Sequence, residues 1–405
     1  MKDFRDEKFH YANIRGESNH SYSLWSLFSQ AKNPENHFHH VKRGRTGQEV
    51  DLFINEVRED LERTFDVAGD RSIIFSGEGI PTLSKEALVR LRDFLLAYCR
   101  TIQIITYVRS PISFIQSSFQ QRLKGEKGSL SLVDFYPNYR DRFEKFEQVF
   151  GTEVCQYRKF DPQSFRENDV VFDFCDYLGI SLESVPVKRV NDSLSLDAIK
   201  LLYAFRLYHP ADCESMGIAL VNARLVNAIK IIGAGKLALG ANFREPLLDA
   251  NQEDIKWMEK RLGQSLSEDV TSSGNQINLE SELLNIDPRC VGILKDLIGQ
   301  KELTDTISGS TPQEVAQLVH ILRNKLSGKP IHDGVLVNSS DHVSVQTPTS
   351  VNNPAVLQNN IGASALVDAL KSKDSKILDG IPDRRAEQII SYALCFISSH
   401  INNAE

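Results

Sequence analysis

Ile102-Gln103-Ile104-Ile105-Thr106-Tyr107-Val108-Arg109-Ser110-Pro111 is the stretch whose reading decides the fold. A run of apolar and β-branched residues ends in an arginine, then in Ser-Pro, and a segment with helical periodicity follows through Ser117. An apolar run of this length, bounded by a turn signal, suits a strand buried on both faces, as in a parallel sheet. Ser110 can cap the next helix and Pro111 can open it, because proline's missing N–H costs nothing at the first helical position. Arg109 is thereby expected at the C-terminal tip of a strand, the edge at which open α/β sheets bind ligands. Its guanidinium can grip a phosphate through two parallel hydrogen bonds. Ser117, on the second turn of the helix, can add a hydroxyl to the same anion. The alternative, on spacing alone, is an arginine that satisfies a nearby carboxylate or a helix C-terminus.

Outward from this stretch, helices alternate with short apolar strands. Residues 20–31 and 48–66 read as helices, the second with Leu52, Phe53, Val57 and Leu61 at helical spacing. A strand over 72–76 precedes a helix over 85–98, and the strand at 102–108 precedes a helix over 111–124. A helix over about 131–149, a strand at 153–157 and helices at 169–178 and 195–208 follow. This alternation implies βαβ units and a parallel sheet. Beyond residue 212 the pattern is nearly all helical. The expected organisation is an α/β domain over 1–290, a helical extension over 291–330, a linker over 331–360 and a helical tail over 361–405. Thr311-Pro312-Gln313-Glu314 is a capping box with proline at the first position. Residues 331–360, rich in Ser, Asn, Thr, Val and Pro, lack periodicity and read as linker. A last amphipathic helix is expected over about 384–400, to dock back or to serve a partner.

Composition limits the function classes. A formal net charge of −7 over 405 residues argues against a general nucleic-acid binder. The cysteines Cys99, Cys155, Cys175, Cys213, Cys290 and Cys395 are scattered without a C-x-x-C pair. The first three lie in apolar contexts and read as small buried hydrophobes. That usage suits a reducing, cytoplasmic setting more than a disulfide framework or a zinc site. The N-terminus has no apolar signal region. The most apolar long stretch, residues 217–240, carries Arg224, Lys230 and Lys236 and is too polar for a transmembrane segment. His37, His39 and His40 lack the carboxylates or cysteines of a metal site and are expected in a solvated loop. No G-x-x-x-x-G-K-[ST] occurs, which excludes a P-loop kinase or NTPase reading.

Arg109-Ser110-Pro111, with Ser117 eight residues after the arginine, resembles the 3′-phosphate-binding element of sulfotransferases that use 3′-phosphoadenosine 5′-phosphosulfate (PAPS). The flanks resemble the bacterial branch of that family. Upstream lies Ile73-Ile74-Phe75-Ser76-Gly77-Glu78, similar to a strand ending in Ser-x-Glu. Downstream come Phe119 to Lys124, Leu132-Val133-Asp134-Phe135, Phe150-Gly151, Asp169 to Phe174, and Asn191-Asp192-Ser193-Leu194-Ser195. Gln252 to Leu266 resembles a helix that closes the domain. The resemblance covers roughly residues 10 to 285. It implies a P-loop-type doubly wound parallel sheet flanked by helices and followed by a mostly helical C-terminal extension. It also implies PAPS as donor, a glycan or other hydroxyl acceptor, no metal, and nucleotide contacts from Arg109, Ser117, Ser76 and Asn191.

The family's opening strand and 5′-phosphosulfate-binding loop have no counterpart here. In those proteins backbone N–H groups of a glycine loop and helix start cradle the phosphosulfate. This chain opens Met1-Lys2-Asp3-Phe4-Arg5-Asp6, with no apolar run or glycine loop. Lys42-Arg43-Gly44-Arg45-Thr46-Gly47 follows His39-His40 instead of a strand and reads as a solvated basic turn. The first strand sits inside a doubly wound sheet, so its loss leaves two neighbouring strands unpaired. Each orphaned backbone group costs of order 1 kcal/mol, and open edges favour self-association. A late start codon, a truncation, or a partner that supplies the strand would each account for this.

Sulfuryl transfer needs a base for the acceptor proton and cations for the leaving phosphate. Glu78, just beyond a buried strand, is the expected base; its alternative is to pair with Arg109 or cap a helix. His20, in Asn19-His20-Ser21, resembles a histidine that follows the missing loop, and it titrates near neutrality. Arg122 and Lys124 read as the polar face of their helix. Two readings of function remain open: a sulfotransferase active when the 5′ loop is supplied, or a non-catalytic nucleotide- or protein-binding remnant.

Overall fold

The computed structural model describes residues 6–29, 40, 45–125, 130–181, 193–209, 218–268, 276–328 and 394–400. The fold is α/β. Its sheet has the order β1-β2-β5-β3-β4, with β1 at Phe9–Tyr11, β2 at Ser72–Gly77, β3 at Cys99–Val108, β4 at Cys155–Lys159 and β5 at Leu394–His400. β1 pairs parallel with β2, and β3 parallel with β4. β5 runs antiparallel to both β2 and β3, so these two are parallel to each other and one strand apart.

The deciding stretch is β3, an interior strand of this sheet. Along β2 and β3, side chains alternate between two covered faces, as expected of a strand buried on both sides. Ile73, Phe75, Ile102, Ile104 and Val108 pack into one core. Among its helices are α1 (Ser21–Phe28), α2 (Gly47–Ala68), α3 (Lys85–Leu96), which follows β2, and, further along the chain, a helix over Tyr139–Phe150. Ile74, Ile105 and Tyr107 point the other way, against Phe165, Val170, Phe174 and Cys175. Cys99, Cys155 and Cys175 are free thiols buried in these cores, as their sequence contexts indicated.

Helix α4 (Pro111–Gly125) follows β3 directly, and α5 is the helix at Tyr139–Phe150. The helix expected over 131–149 is in fact split. A short turn of 3-10 helix at Leu132–Phe135 ends before Pro137, and Asn138, at φ 48°, turns the chain into α5. Proline cannot supply the N–H that a continuous helix needs. Next come α6 (Val170–Leu178), α7 (Leu196–Tyr208), α8 (Ile218–Ile229), α9 (Ala241–Ala250), α10 (Gln252–Leu262), α11 (Pro288–Ile298), α12 (Lys301–Thr304) and α13 (Pro312–Ser327). Thr311 and Glu314 form the expected capping box on α13. Ile115 and Phe119 of α4 share a core with Leu202 of α7, Leu225 of α8, Leu294 of α11 and Leu318 of α13. Cys290 and Val291 both belong to it, so this helical core continues across residue 290.

Three further sequence expectations are corrected. Residues 394–400 form a strand, not the last turns of a helix over 384–400. An apolar run as short as Leu394-Cys395-Phe396-Ile397 fits either state, and pairing on both edges with β2 and β3 decides for the strand. His40 is fully buried and not solvated: its Nδ1 lies 2.7 Å from the Tyr22 hydroxyl. Nor is Arg45 a solvated turn residue, since it donates to that hydroxyl and lies 3.8 Å over the Phe53 ring. His37, His39, Lys42 to Gly44, the 331–360 linker and residues 361–393 lie outside the described residues.

Candidate functional site

The C-terminal tips of β2, β3 and β4 share one edge of the sheet. Gly77 and Thr106 are both opposite Leu394 of β5, so the tips of β2 and β3 are level. Strands are spaced about 4.8 Å apart, which puts the two tips roughly 10 Å from each other.

At the β2 tip, α1 begins directly against the strand. His20 N–H donates to the Ser76 carbonyl at 2.8 Å, and Ser76 N–H donates back to His20 Nδ1 at 3.0 Å. An accepting Nδ1 fixes the proton on Nε2, which donates to the Ala12 carbonyl at 3.0 Å. Burial lowers the His20 pKa to about 4, against the raising effect of its backbone hydrogen bonds. The ring is thus neutral at neutral pH with both nitrogens committed to main chain. The lone pair that a general base at His20 requires is taken by Ser76. Asn19 Oδ1 accepts from both the N–H and the hydroxyl of Ser21, and the Ser21 hydroxyl in turn accepts from Gly79 N–H at 2.8 Å. Gly77 permits this approach, since a Cβ there would lie 2.6 Å from Ser21 Oγ. Glu78 is half-buried at the same tip, with Oε1 accepting from Asn19 Nδ2 at 3.3 Å. Ser76 contributes main-chain bonds here.

The β3 tip carries Arg109 where the sequence reading put it, between Val108 and the start of α4. Its carbonyl accepts from the buried Tyr139 hydroxyl at 2.6 Å, and its guanidinium stacks 4.2 Å over the Phe160 ring at the β4 tip. The side chain therefore leans towards β4 and away from β2. Ser110 sits at the helix cap position, its carbonyl accepting from Phe114 N–H. Ser117 is on the second turn of α4, half-buried, on the face it shares with Ser110 and Ser113. Asn191 lies outside the described residues, and Ser195 caps α7 by accepting from Ala198 N–H at 3.0 Å. Arg122 extends over the Phe135 ring.

A residue that sequence reasoning missed completes this edge. Glu268, beyond α10, accepts a short hydrogen bond from the Ser110 hydroxyl. Withdrawal from water raises its pKa, while Lys159, Arg109 and Arg244 pull it down and Asp161 pushes it up. Lys159 donates to the carbonyls of Ser265 at 2.9 Å and Ser267 at 3.4 Å. Further out, Arg158 holds Asp173 with two nitrogens, and Tyr107 donates to the same carboxylate at 2.5 Å. Burial, reinforced by Asp173, keeps the Tyr107 phenol protonated far above its ordinary range. Among the described residues no group of three or more His, Cys, Asp or Glu is placed to hold a metal ion. No described helix is long and apolar enough to cross a membrane.

No protein-family model matches this chain, and no solved structure matches it. An uncharacterized protein of Archaeoglobus fulgidus is 24% identical over 141 residues, a stretch covering 33% of this chain and 38% of the archaeal protein. The chain thus matches well under half the length of that relative.

Proposed function

We propose that this chain is a sulfotransferase-like protein that holds the 3′-phosphate of an adenosine 3′,5′-bisphosphate-type nucleotide at the Arg109 edge. The observation that carries the reading is the convergence of Arg109 and Lys159 on the tips of adjacent parallel strands, where α4 begins. A helix start adds main-chain N–H groups to those cations, which suits a phosphate. We read the sheet as P-loop-type and doubly wound, with β5 in the slot between β2 and β3 that the family's first strand would take. An antiparallel β5 starts at the ligand edge and ends at the opposite one, so it cannot lead into a phosphosulfate loop there. Among the described residues, those present suit the 3′-phosphate of PAPS and not its 5′ end.

Calorimetry with adenosine 3′,5′-bisphosphate tests the reading. Micromolar binding is expected, and Arg109→Ala should weaken it at least about tenfold, since charge-assisted bonds are each worth roughly 1.5–3 kcal/mol. No heat from a folded, monodisperse sample would overturn it. A second reading, sulfuryl transfer from PAPS to a glycan or other hydroxyl, is favoured by Glu78, whose carboxyl stands at the β2 tip. Its test is transfer of labelled sulfate from PAPS to polysaccharide acceptors. The chain alone is expected to give none.

A further inference from the structure

β5 is the exception in an otherwise parallel sheet. It runs antiparallel to both of its neighbours, while β1 with β2 and β3 with β4 pair in parallel. β2 leads through α3 into β3, and this unit sets its two strands with one strand's width between them. The walls of that groove are tied to each other on both faces. Ile73 and Phe75 of β2 share one core with Ile102, Ile104 and Val108 of β3, and Ile74 shares the opposite one with Ile105 and Tyr107. The walls stand roughly 10 Å apart, two strand spacings. Each presents a row of main-chain N–H and C=O groups, and such rows bind an extended segment wherever one is supplied.

β5 answers both rows, from Ile73↔Ser398 to Gly77↔Leu394 along β2 and from Cys99↔His400 to Thr106↔Leu394 along β3. Every copy of the chain carries the same strand, so β5 of a second copy forms the same two ladders. What favours the chain's own β5 is proximity alone. Residues 329–393 separate α13 from β5. A connection that long keeps its strand at no more than about millimolar effective concentration. At up to about 3.3 Å per residue, it also has ample contour length to reach a neighbouring sheet.

We propose that the β2–β3 groove is an interaction site for a second copy of this chain, and that two copies exchange β5, each strand closing the other copy's sheet. Exchange of an identical element loses no ladder bond, so protein concentration sets the balance between monomer and dimer.

The test uses the register. Ser76 and Cys395 stand opposite each other in the β2–β5 ladder. Cβ atoms of such a pair lie about 4.5–5.5 Å apart, so a small shift lets the Ser76→Cys thiol reach Cys395. Ser76→Cys can cross-link within one molecule or between two. The double variant Ser76→Cys/Cys395→Ser, mixed with wild type, can make this bond only between copies. Both samples are unfolded in urea, refolded at several concentrations and oxidised with copper phenanthroline, and the linked peptides are mapped by mass spectrometry. Co-expressed chains, oxidised in lysate, supply the same comparison without refolding. The mixture should yield covalent dimer joined through Cys395, at least about tenfold more at roughly 0.5 mM than at roughly 5 µM. Ser76→Cys alone should pass from linked monomer to linked dimer over the same range. Linked monomer from Ser76→Cys at every concentration, with no such dimer in the mixture, overturns the proposal. Failure of this bond to form in either sample also overturns it, because β5 would then not occupy the groove. A dimer joined through any other cysteines counts as no dimer.

Discussion

The β1–β2 half of the sheet and the β3–β4 half meet across β5, and their ligand edges are built from opposite materials. At the β2 tip, His20, Asn19 and Ser21 knit α1 to the strand through short, largely main-chain hydrogen bonds, and the buried histidine is neutral. At the β3 and β4 tips stand the charged residues Arg109 and Lys159, and Glu268 accepts from the Ser110 hydroxyl beside them. Main-chain bonds between neutral groups close an edge and leave little for a ligand to exchange with. Charged side chains at strand tips, beside a helix start, are groups that an anion can engage. On the proposed reading, binding belongs to the second half, while the first holds the sheet together.

The largest effect should come from the strand that joins the halves. β5 is paired on both edges through Leu394–His400. Removing residues 394–405 strips those ladders, and at about 0.5–1.5 kcal/mol per hydrogen bond the loss should exceed roughly 5 kcal/mol. Denaturant melts and hydrogen exchange should show β2 and β3 losing protection together. An unchanged midpoint would mean that the halves hold without β5 and would break the comparison at its root.

Next in size is His20. Its folded-state pKa of about 4 lies below the unfolded value of 6.5, so the unfolded chain binds the extra proton between them. Stability is therefore full above pH 6.5 and falls as pH drops towards 4, by about 3 kcal/mol in all. His20→Gln should flatten that part of the stability–pH curve. A slope unchanged by the substitution would show that the β2 edge is not held by this ring.

The smallest effect is expected at the outer flank of the charged half. Asp173→Asn weakens the Arg158 and Tyr107 bonds between β3, β4 and α6. Both ion-pair partners keep some solvent exposure, at 31% and 19%, which limits the cost to about 1 kcal/mol. Nucleotide affinity should be unchanged, because this carboxylate faces Arg158 and not the Arg109 edge. A loss of binding comparable to that of Arg109→Ala would extend the site outward to β4's flank.

Much of the second half was legible in the sequence. An apolar run, an arginine and Ser-Pro place a buried strand, its tip and a helix start by local chemistry alone, and the structure keeps all three. Glu78 was expected just beyond its buried strand and lies there. The use of His20 was not legible, because a ring's role depends on which backbone groups surround it after burial. β1 was missed since three residues are too few for periodicity. Glu268 gave no signal: an acid in a Ser-rich loop acquires a partner only when the start of α4 brings Ser110 to it.

The sequence by itself determined the α/β alternation, the strand that carries Arg109, the cap and proline that start α4, and the capping box of α13, because each depends on residues close in the chain. Only the tertiary structure decided that residues 394–400 are a strand, that His20 is neutral and closed, and that Glu268 meets Ser110. Each of these rests on a partner between 56 and 325 residues away. Short-range pattern carries no information about such pairings until the chain has collapsed around them.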